Sequence, residues 1–390
     1  MEKLDEALVL NLDHSRHLAD SGRNGQVVKT TARGPRVSVV IPAYGRPASL
    51  SVALEALCAQ TLPRSEFEVI VSDDGSAEPL APAVAPFSQR IAVRVVRGPN
   101  AGPAAARNRG ARHARAAMLA FIDDDCIPAR DWLERIVARA RRFPGHLIGG
   151  AMTNTLAHDR YARATQLVMS GVYDYYTRFP TGQRFFSTTN LSVPADRFWV
   201  ISGFAEEFGH VAGEDYDVCS RWQLAGFPSV YAPETIVGHA HGHTFGSFWR
   251  QHFGYGRGLL RVRQLAARRR GKRGVQLEAP TFYAELLAYP LRDRSSSPPR
   301  RVLNVGLVLL SQVATVAGAA RELLFGAEIE PREREKALTP PPSRPPQVVA
   351  SEHSKRRPSR TLQTDPSARS AASHRSTLTQ PMDRGATDAG

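Results

Sequence analysis

Short apolar runs rich in Val, Ile and Phe alternate, along the first third of the chain, with segments whose apolar residues recur every three or four positions. The runs at 37–41, 67–72, 91–96 and 118–122 are too short for helices, and Pro, Asp or Gly closes each within a residue or two. They read as buried strands. Between the first two, Leu50, Ala53, Leu54 and Leu57 stand at i, i+3, i+4 and i+7, the spacing of an amphipathic helix. A helix rich in Ala and Arg is expected over 103–117, with Pro103 at its start, and Leu133, Ile136, Val137 and Ala140 mark another. The stretch 78–89 holds three prolines and makes a poor helix. Strands alternating with helices predict an α/β fold with a mostly parallel central sheet flanked by helices.

After an apolar run at 147–152 the pattern becomes irregular, which suits a half that shapes a substrate site. A helix is expected over 215–225, stopped by Gly226, then a short strand over 227–231 and a glycine-interrupted helix over 247–270. Residues 302–320 are apolar but broken by Asn304, Ser311, Gln312 and Thr315. Asn304, Ser311 and Thr315 fall on one helical face, which predicts an amphipathic or packed helix rather than a membrane span. Arg300 and Arg301 at its start suit peripheral membrane contact. Residues 1–34 form a polar leader, too charged for a signal peptide. From 327 to 390 there is no aromatic residue, and Pro, Ser, Arg and Thr dominate, so this tail is expected to be disordered.

The formal charge of +14 is unevenly placed. Nine Lys and Arg and no acid lie between 249 and 274, whereas the tail after 326 has eleven basic and eight acidic residues. The charge is a local basic stretch, suited to anionic lipid headgroups or a lipid-linked acceptor. No nucleic-acid module accompanies it, so nucleic acid is not an expected partner. Cys58, Cys126 and Cys219 share no metal-ligand spacing and suit a reducing compartment, hence a cytoplasmic protein, at the inner face of the membrane if the basic and apolar region over 250–320 meets it.

Two acid clusters carry the candidate chemistry. Asp73 and Asp74 follow the second predicted strand, and Asp123, Asp124 and Asp125 follow the fourth. In open sheets of this kind ligands bind beyond the carboxyl ends of the strands, so both clusters belong to one rim. Neighbouring carboxylates repel, and a site that gathers them holds a cation or hydrogen-bonds a polar ligand.

The order of motifs resembles the family 2 glycosyltransferases, whose fold is the nucleotide-sugar-binding GT-A domain. The likeness is carried by Val37-Ser38-Val39-Val40-Ile41-Pro42-Ala43-Tyr44-Gly45-Arg46, Val69-Ile70-Val71-Ser72-Asp73-Asp74-Gly75-Ser76 and the run from Gly102 to Gly110. It continues through Phe121-Ile122-Asp123-Asp124-Asp125, Ser202-Gly203-Phe204 and Gly213-Glu214-Asp215-Tyr216-Asp217. It covers roughly 35–245 and implies a nucleotide-binding half over 35–130, an acceptor half over 131–245, and a basic and apolar helical extension over 246–326 outside it. The resemblance implies that the first loop (Pro42, Tyr44, Arg46), Asp73 on the base or ribose, Asp74, Asp123 and Asp124 hold the nucleotide. Arg107 and Asn108 would contact phosphate or orient the loop. Asp123 and Asp125 match the family's D-x-D element, which implies a divalent cation, Mg²⁺ or Mn²⁺, on the donor diphosphate. His239, first of the run His239-Ala240-His241-Gly242-His243, is the nearest match to a histidine that completes the metal shell in some relatives. Asp215 falls at the catalytic base, with Glu214 as its rival.

The function so implied is inverting transfer of a sugar from a nucleotide-diphospho-sugar to an acceptor hydroxyl on a glycan, a lipid-linked molecule or a small molecule. A nucleotidyltransferase on a related fold and a non-catalytic nucleotide-sugar-binding protein are the alternatives. Arg109, Arg112 and Arg115 read as solvated, and Trp199, Phe204 and Trp222 as core or as the lining of an acceptor cleft.

Overall fold

A computed structural model describes residues 34–326, apart from 157, 179–184, 241, 270–274, 276 and 295. The leader, the tail and three of the basic residues of the 249–274 stretch (Arg270, Lys272, Arg273) lie outside the described residues. The strands are β1 (Val37–Ala43), β2 (Phe67–Asp73), β3 (Val93–Arg97), β4 (Met118–Phe121), β5 (Cys126–Pro128), β6 (Leu147–Asn154), β7 (Leu191–Pro194) and β8 (Ser229–His239). The helices are α1 (Pro47–Cys58), α2 (Ala81–Val84), α3 (Pro103–Arg112), α4 (Trp132–Arg142), α5 (Arg160–Arg178), α6 (Ala195–Val200), α7 (Glu214–Leu224), α8 (Phe245–Arg269), α9 (Pro280–Ala288) and α10 (Pro298–Phe325).

One sheet runs in the order β3-β2-β1-β4-β7-β6-β8-β5. Its first four strands are parallel, as the strand–helix alternation predicts, because each is joined to the next through a crossover. Beyond β4 the sheet is mixed: β7 is antiparallel to both β4 and β6, β8 is parallel to β6, and β5 is antiparallel to β8. The irregular pattern after 152 reflects this change of direction.

Alternation along the strands sorts the core into two layers. Val37, Val39 and Ile41 of β1 pack with Leu50, Leu54 and Leu57 of α1 on one face, while Val40 and Ile70 pack with Ala104 and Ala111 of α3 on the other. Trp222 and Phe204 are buried in that second layer, so they are core. Residues 78–89 form the four-residue α2 and a single 3-10 turn, consistent with their prolines. The last long strand is eleven residues, far longer than the expected 227–231, and it ends on His239. That extension decides where His239 points.

The described residues of the extension 246–326 are mostly helical, with α10 packed chiefly on α8 and also on α5. Asn304 and Ser311 are buried and Thr315 is half-buried on the packed face, as the polar spacing predicts. The basic stretch, in contrast, is largely turned inward. Arg257 and Arg261 pair with buried Glu322 at 2.8 and 2.5 Å, Arg269 with buried Asp217 at 2.5 Å, and Arg263 with Glu278 at 3.3 Å. These four guanidiniums tie α8 to neighbouring segments, while Arg250 and Arg268 are exposed.

Candidate active site

The parallel register sets the carboxyl ends of β1, β2 and β4 side by side: Ala43 is opposite Asp73, and Val40 is opposite Phe121. The loops that leave these ends are then tied to each other. Asp74 N–H donates to the Ala43 carbonyl at 2.9 Å, and Gly45 N–H donates to Ser76 Oγ at 2.9 Å. Arg46 reaches the other way, gripping both oxygens of Asp124 and donating to Asp125 Oδ2 at 2.8 Å. The first loop is a bridge between the two acid clusters. Pro42 is buried beneath it, while Tyr44 is exposed at its tip.

The acids of the first cluster shape that loop. Asp73 is fully buried and accepts from Ser76 N–H at 2.9 Å and Leu80 N–H at 3.3 Å. Burial alone would raise its pKa, but these donors and Arg97 outweigh it and hold the carboxyl below its usual range. Asp74 accepts from Ala101 and Gly102 N–H at 3.2 and 2.9 Å, and from Arg109 at 3.4 Å. Asp73 therefore points into its own turn rather than outward toward a base or ribose. Arg109 also reaches the Asp73 carbonyl and is largely buried rather than solvated, whereas Arg115 stays exposed while donating to buried Glu68 at 2.8 Å.

The three acids of the second cluster have three different environments. Asp124 is fully buried, and burial together with Asp125 and Asp123 pushes its pKa up to about 7 against the pull of Arg46. Asp123 is the most open, a quarter exposed, and is held by Arg107 Nη2 at 2.6 Å and Thr189 Oγ1 at 3.1 Å. Asp125 lies 3.1 Å from His239 Nε2. This last contact follows from strand pairing, since Cys126 stands directly opposite His239 and Ala240 N–H donates to the Asp125 carbonyl. Burial lowers and Asp125 raises the His239 pKa, with the carboxylate prevailing. His243 lines the same pocket as His239 but is held differently: its backbone N–H donates to Asp159 and its ring packs near Phe248. His241 lies outside the described residues.

Asp125, Cys126 and His239 are the one group of candidate ligand atoms, among the described residues, clustered within 4.8 Å. Burial and the nearby aspartates hold the Cys126 thiol protonated, well above its ordinary pKa. The usable donors are then a carboxylate oxygen and an imidazole nitrogen, a set that fits a hard or borderline divalent cation such as Mn²⁺ or Mg²⁺. Asp123 stands outside that group, with its two oxygens engaged by Arg107 and Thr189.

Arg107 is the residue that joins the halves. It is almost fully buried and, besides Asp123, donates to Glu214 at 2.8 Å at the start of α7. Its guanidinium is thereby occupied by protein acids rather than presented to a phosphate. Asn108 is buried too, donating to the Phe204 carbonyl at 2.8 Å and accepting from Phe204 N–H at 2.8 Å. This clamp fixes the Ser202-Gly203-Phe204 turn. Gly203 is left-handed there (φ 65°), and a Cβ would fall 2.5 Å from Asn108 Oδ1.

The pairing separates the two candidate bases. Glu214 is buried and committed to Arg107, whereas Asp215 is half-buried and makes no ion pair among the described residues. One Asp215 oxygen accepts from Tyr216 N–H at 2.8 Å. Burial and the adjacent Glu214 push its pKa up to about 7. Asp217, two residues further on, is fully buried between Arg221 and Arg269, which hold it in its charged form.

A pocket lies against Thr189 and His239, also lined by Ser187, Met169, Gln251 and Tyr255. Asp215 and Asp123 both act on the buried Tyr255 hydroxyl, raising its pKa after the larger effect of burial. None of Ser187, Thr189, Gln251 or Tyr255 was marked by the sequence patterns; they come from the turn before β7 and from the extension, where no motif announces them.

Residues 38–205 match the family model described as Glycosyl transferase family 2. The chain is 29% identical over 233 residues to a validoxylamine A glucosyltransferase of Streptomyces hygroscopicus subsp. jinggangensis, covering 53% of this chain and 55% of that protein. It is 29% identical over 240 residues to the glycosyltransferase AglE of Haloferax volcanii, covering 60% of this chain and 75% of that one. The chain spans about half the length of the validoxylamine A glucosyltransferases it matches. Among solved structures, the mannosyltransferase PcManGT from Pyrobaculum calidifontis, in complex with GDP-Man and Mn²⁺, superposes with a TM-score of 0.54 at 17% identity. That likeness covers 76% of this chain and 89% of PcManGT, and it establishes the GT-A fold. The sheet order, the acid rim and the matched segment agree: residues 38–205 form a domain of the family 2 glycosyltransferase type.

Proposed function

We propose that the chain transfers a glycosyl group from a nucleotide-diphospho-sugar to an acceptor hydroxyl, inverting the anomeric centre. The observation that carries this reading is Asp215: a half-buried carboxylate, in no ion pair among the described residues, with a pKa raised to about 7, at the rim where the acid clusters converge. A base of that strength is suited to neutral pH. Asp215 takes the hydroxyl proton as the acceptor oxygen bonds to the anomeric carbon. The bond from that carbon to the diphosphate oxygen breaks, and nucleoside diphosphate leaves with its electron pair. Attack opposite the leaving group inverts the centre.

Asp125 and His239 would hold a divalent cation, Mg²⁺ or Mn²⁺, on the leaving side. Such a cation, when bound, neutralises charge growing on the diphosphate. Asp123, fixed by Arg107 and Thr189, would orient the donor beside it. Tyr44 and the outer part of Arg46 would meet the nucleotide, over a loop that Asp73 and Asp74 keep rigid. The acceptor would enter along Gln251 and Tyr255, and a glycan, a lipid-linked molecule or a small molecule fits such an entry. All three cysteines are buried free thiols, in keeping with a cytoplasmic enzyme.

The test is a panel of nucleotide-sugars, with and without Mn²⁺, read by thermal shift and by release of nucleoside diphosphate. A donor that raises the melting point only with metal, and is turned over, supports the reading. Release of pyrophosphate would replace it with nucleotidyl transfer, and absence of any donor binding would leave a protein without this activity.

A further inference from the structure

The pocket against Thr189 and His239 continues into a second cavity of about 270 Å³, and Met152, Gln166 and Met169 line both. That volume is close to the ~300 Å³ at which small-molecule sites begin. α5 runs past the two: Ala162 and Thr165 line the first, and Ser170, Tyr173 and Asp174 the second. From Ala162 to Asp174 is about 18 Å of helix, enough for a chain of linked rings. β8 does the same from across, with His239 at the first pocket and Tyr231 at the second. Tyr173 locks the two together. Its ring lines the cavity, while its hydroxyl accepts from the N–H of Ser187 at 2.7 Å in the wall of the first pocket.

The second cavity alternates rings with hydrogen-bonding groups. Tyr231 is stacked on Phe186 with 14° between the ring planes and meets Tyr173 edge-on, so its ring is held in place. Tyr289, just beyond α9, closes the cavity from the extension, and its hydroxyl hydrogen-bonds with Ser170. Gln166 donates to the Met152 carbonyl at 3.0 Å and to Ser170 Oγ at 3.1 Å. These bonds orient the amide and leave its carbonyl oxygen without a donor among the described residues. Asp174 is half-buried and held by Arg178 at 2.8 Å and Arg292 at 3.6 Å. A pyranose matches such a lining, because its C–H faces pack on aromatic rings and its hydroxyls need donors and acceptors. A prenyl or acyl chain would strip water from Gln166 and Asp174 without pairing them.

We propose that this cavity is an outer subsite for the acceptor, which is an oligosaccharide. With its terminal ring at Gln251 and Tyr255, a ring further along the chain packs on Tyr231 and Tyr289 and hydrogen-bonds to Gln166 and Asp174. The proposal rests on the reading of the chain as a glycosyltransferase and narrows its acceptor to a glycan of at least two rings.

The test begins with the full chain on a printed glycan array, followed by calorimetry and turnover with the glycan bound best and with its terminal monosaccharide. The oligosaccharide should bind at least about tenfold more tightly than the monosaccharide. Tyr289→Ala should raise KM for the oligosaccharide by about tenfold or more, with kcat and the donor thermal shift unchanged. Tyr289→Phe, which keeps the ring, should restore most of the loss. Asp174→Ala removes only partly exposed ion pairs of little weight in stability, and it decides the matter should Tyr289→Ala fold poorly. Oligosaccharide affinity in Tyr289→Ala and Asp174→Ala equal to that of the unaltered chain overturns the proposal. So does a chain that binds its donor but no glycan, or one that binds a prenyl phosphate in this cavity instead. Oligosaccharide binding that depends on Tyr289 and Asp174, in a chain that binds no nucleotide-sugar, would keep the subsite and remove the transferase reading.

Discussion

The acid rim and the α8–α10 crossing are built from the same materials, arginines set against carboxylates, and they come to opposite ends. At the crossing, buried Glu322 takes Arg257 and Arg261 together, and all three charges are used to join the helices. At the rim, Arg46 and Arg107 each bridge two acids, yet Asp215 makes no ion pair among the described residues, and Asp125, held by Arg46 on one oxygen, turns the other to His239. Buried ion pairs add little net stability because desolvation offsets their attraction. What they provide is position. The crossing uses it to fix two helices; the rim uses it to hold one carboxylate ready and another beside an imidazole.

The strongest way to break this contrast is to remove the unpaired acid. Asp215→Asn keeps the shape and the Tyr216 N–H contact but cannot take a proton. Its kcat should fall by about 10²–10⁴-fold, while the donor-induced thermal shift is kept. In the unaltered protein the rate should climb as pH rises through about 7, because Asp215 must lose its proton to act as base. A flat pH profile, or an active Asp215→Asn variant, would show that the rim is no more reactive than the crossing.

Next in size is Arg107→Met, which leaves Asp123 and Glu214 as neighbouring acids with no cation between them. Removing one member of a buried charge network costs about 3–5 kcal/mol, read as a shift in the urea midpoint. If Arg107 instead served mainly to bind phosphate, stability would hardly change and donor affinity alone would fall.

How much of this could be read along the chain differs between the two regions for a physical reason. The rim was legible because strand ends are marked locally: an apolar run, then consecutive Asp residues, at β2 and β4. Parallel pairing does the rest, and it put Asp73 and Asp125 on one edge as expected. Direction within the rim was not legible. Asp73 faces its own turn, and Arg107 and Asn108 face Glu214 and Phe204, more than ninety residues away in sequence. His239 could be separated from His243 only once β8 ran to residue 239 opposite Cys126. At the crossing the polar spacing of α10 gave its packed face correctly. The ion pairs of the basic run of α8 were not legible, because the partners Glu322, Asp217 and Glu278 carry no local pattern that announces them.

A smaller effect sharpens the rim side. His239→Ala should leave the fold intact and weaken the Mn²⁺-dependent part of the donor thermal shift. The loss should be at least the roughly tenfold in metal affinity that follows when a ligand's supporting partner is removed. Unchanged Mn²⁺ dependence would mean that the Asp125–His239 contact is only a structural hydrogen bond.

The smallest effect belongs to the crossing, and its sign is the informative part. Glu322 carries a pKa held below its usual range: burial raises it, but Arg257 and Arg261 outweigh that. A lowered pKa in the folded state means stability that is present above the unfolded value and lost as pH falls through the folded one. Glu322→Gln keeps the shape and one acceptor but not the charge, so it should cost about 1–3 kcal/mol at neutral pH. It should also flatten the decline in stability between neutral and acid pH, measured by urea unfolding across that range. Transfer activity, assayed on a soluble acceptor, should stay within about twofold of the unaltered chain, because surface-directed and helix-joining residues away from the site do not touch the reacting atoms. A large loss of turnover at full stability would reverse the contrast, since it would mean that the arginines of the crossing act on the site through α8.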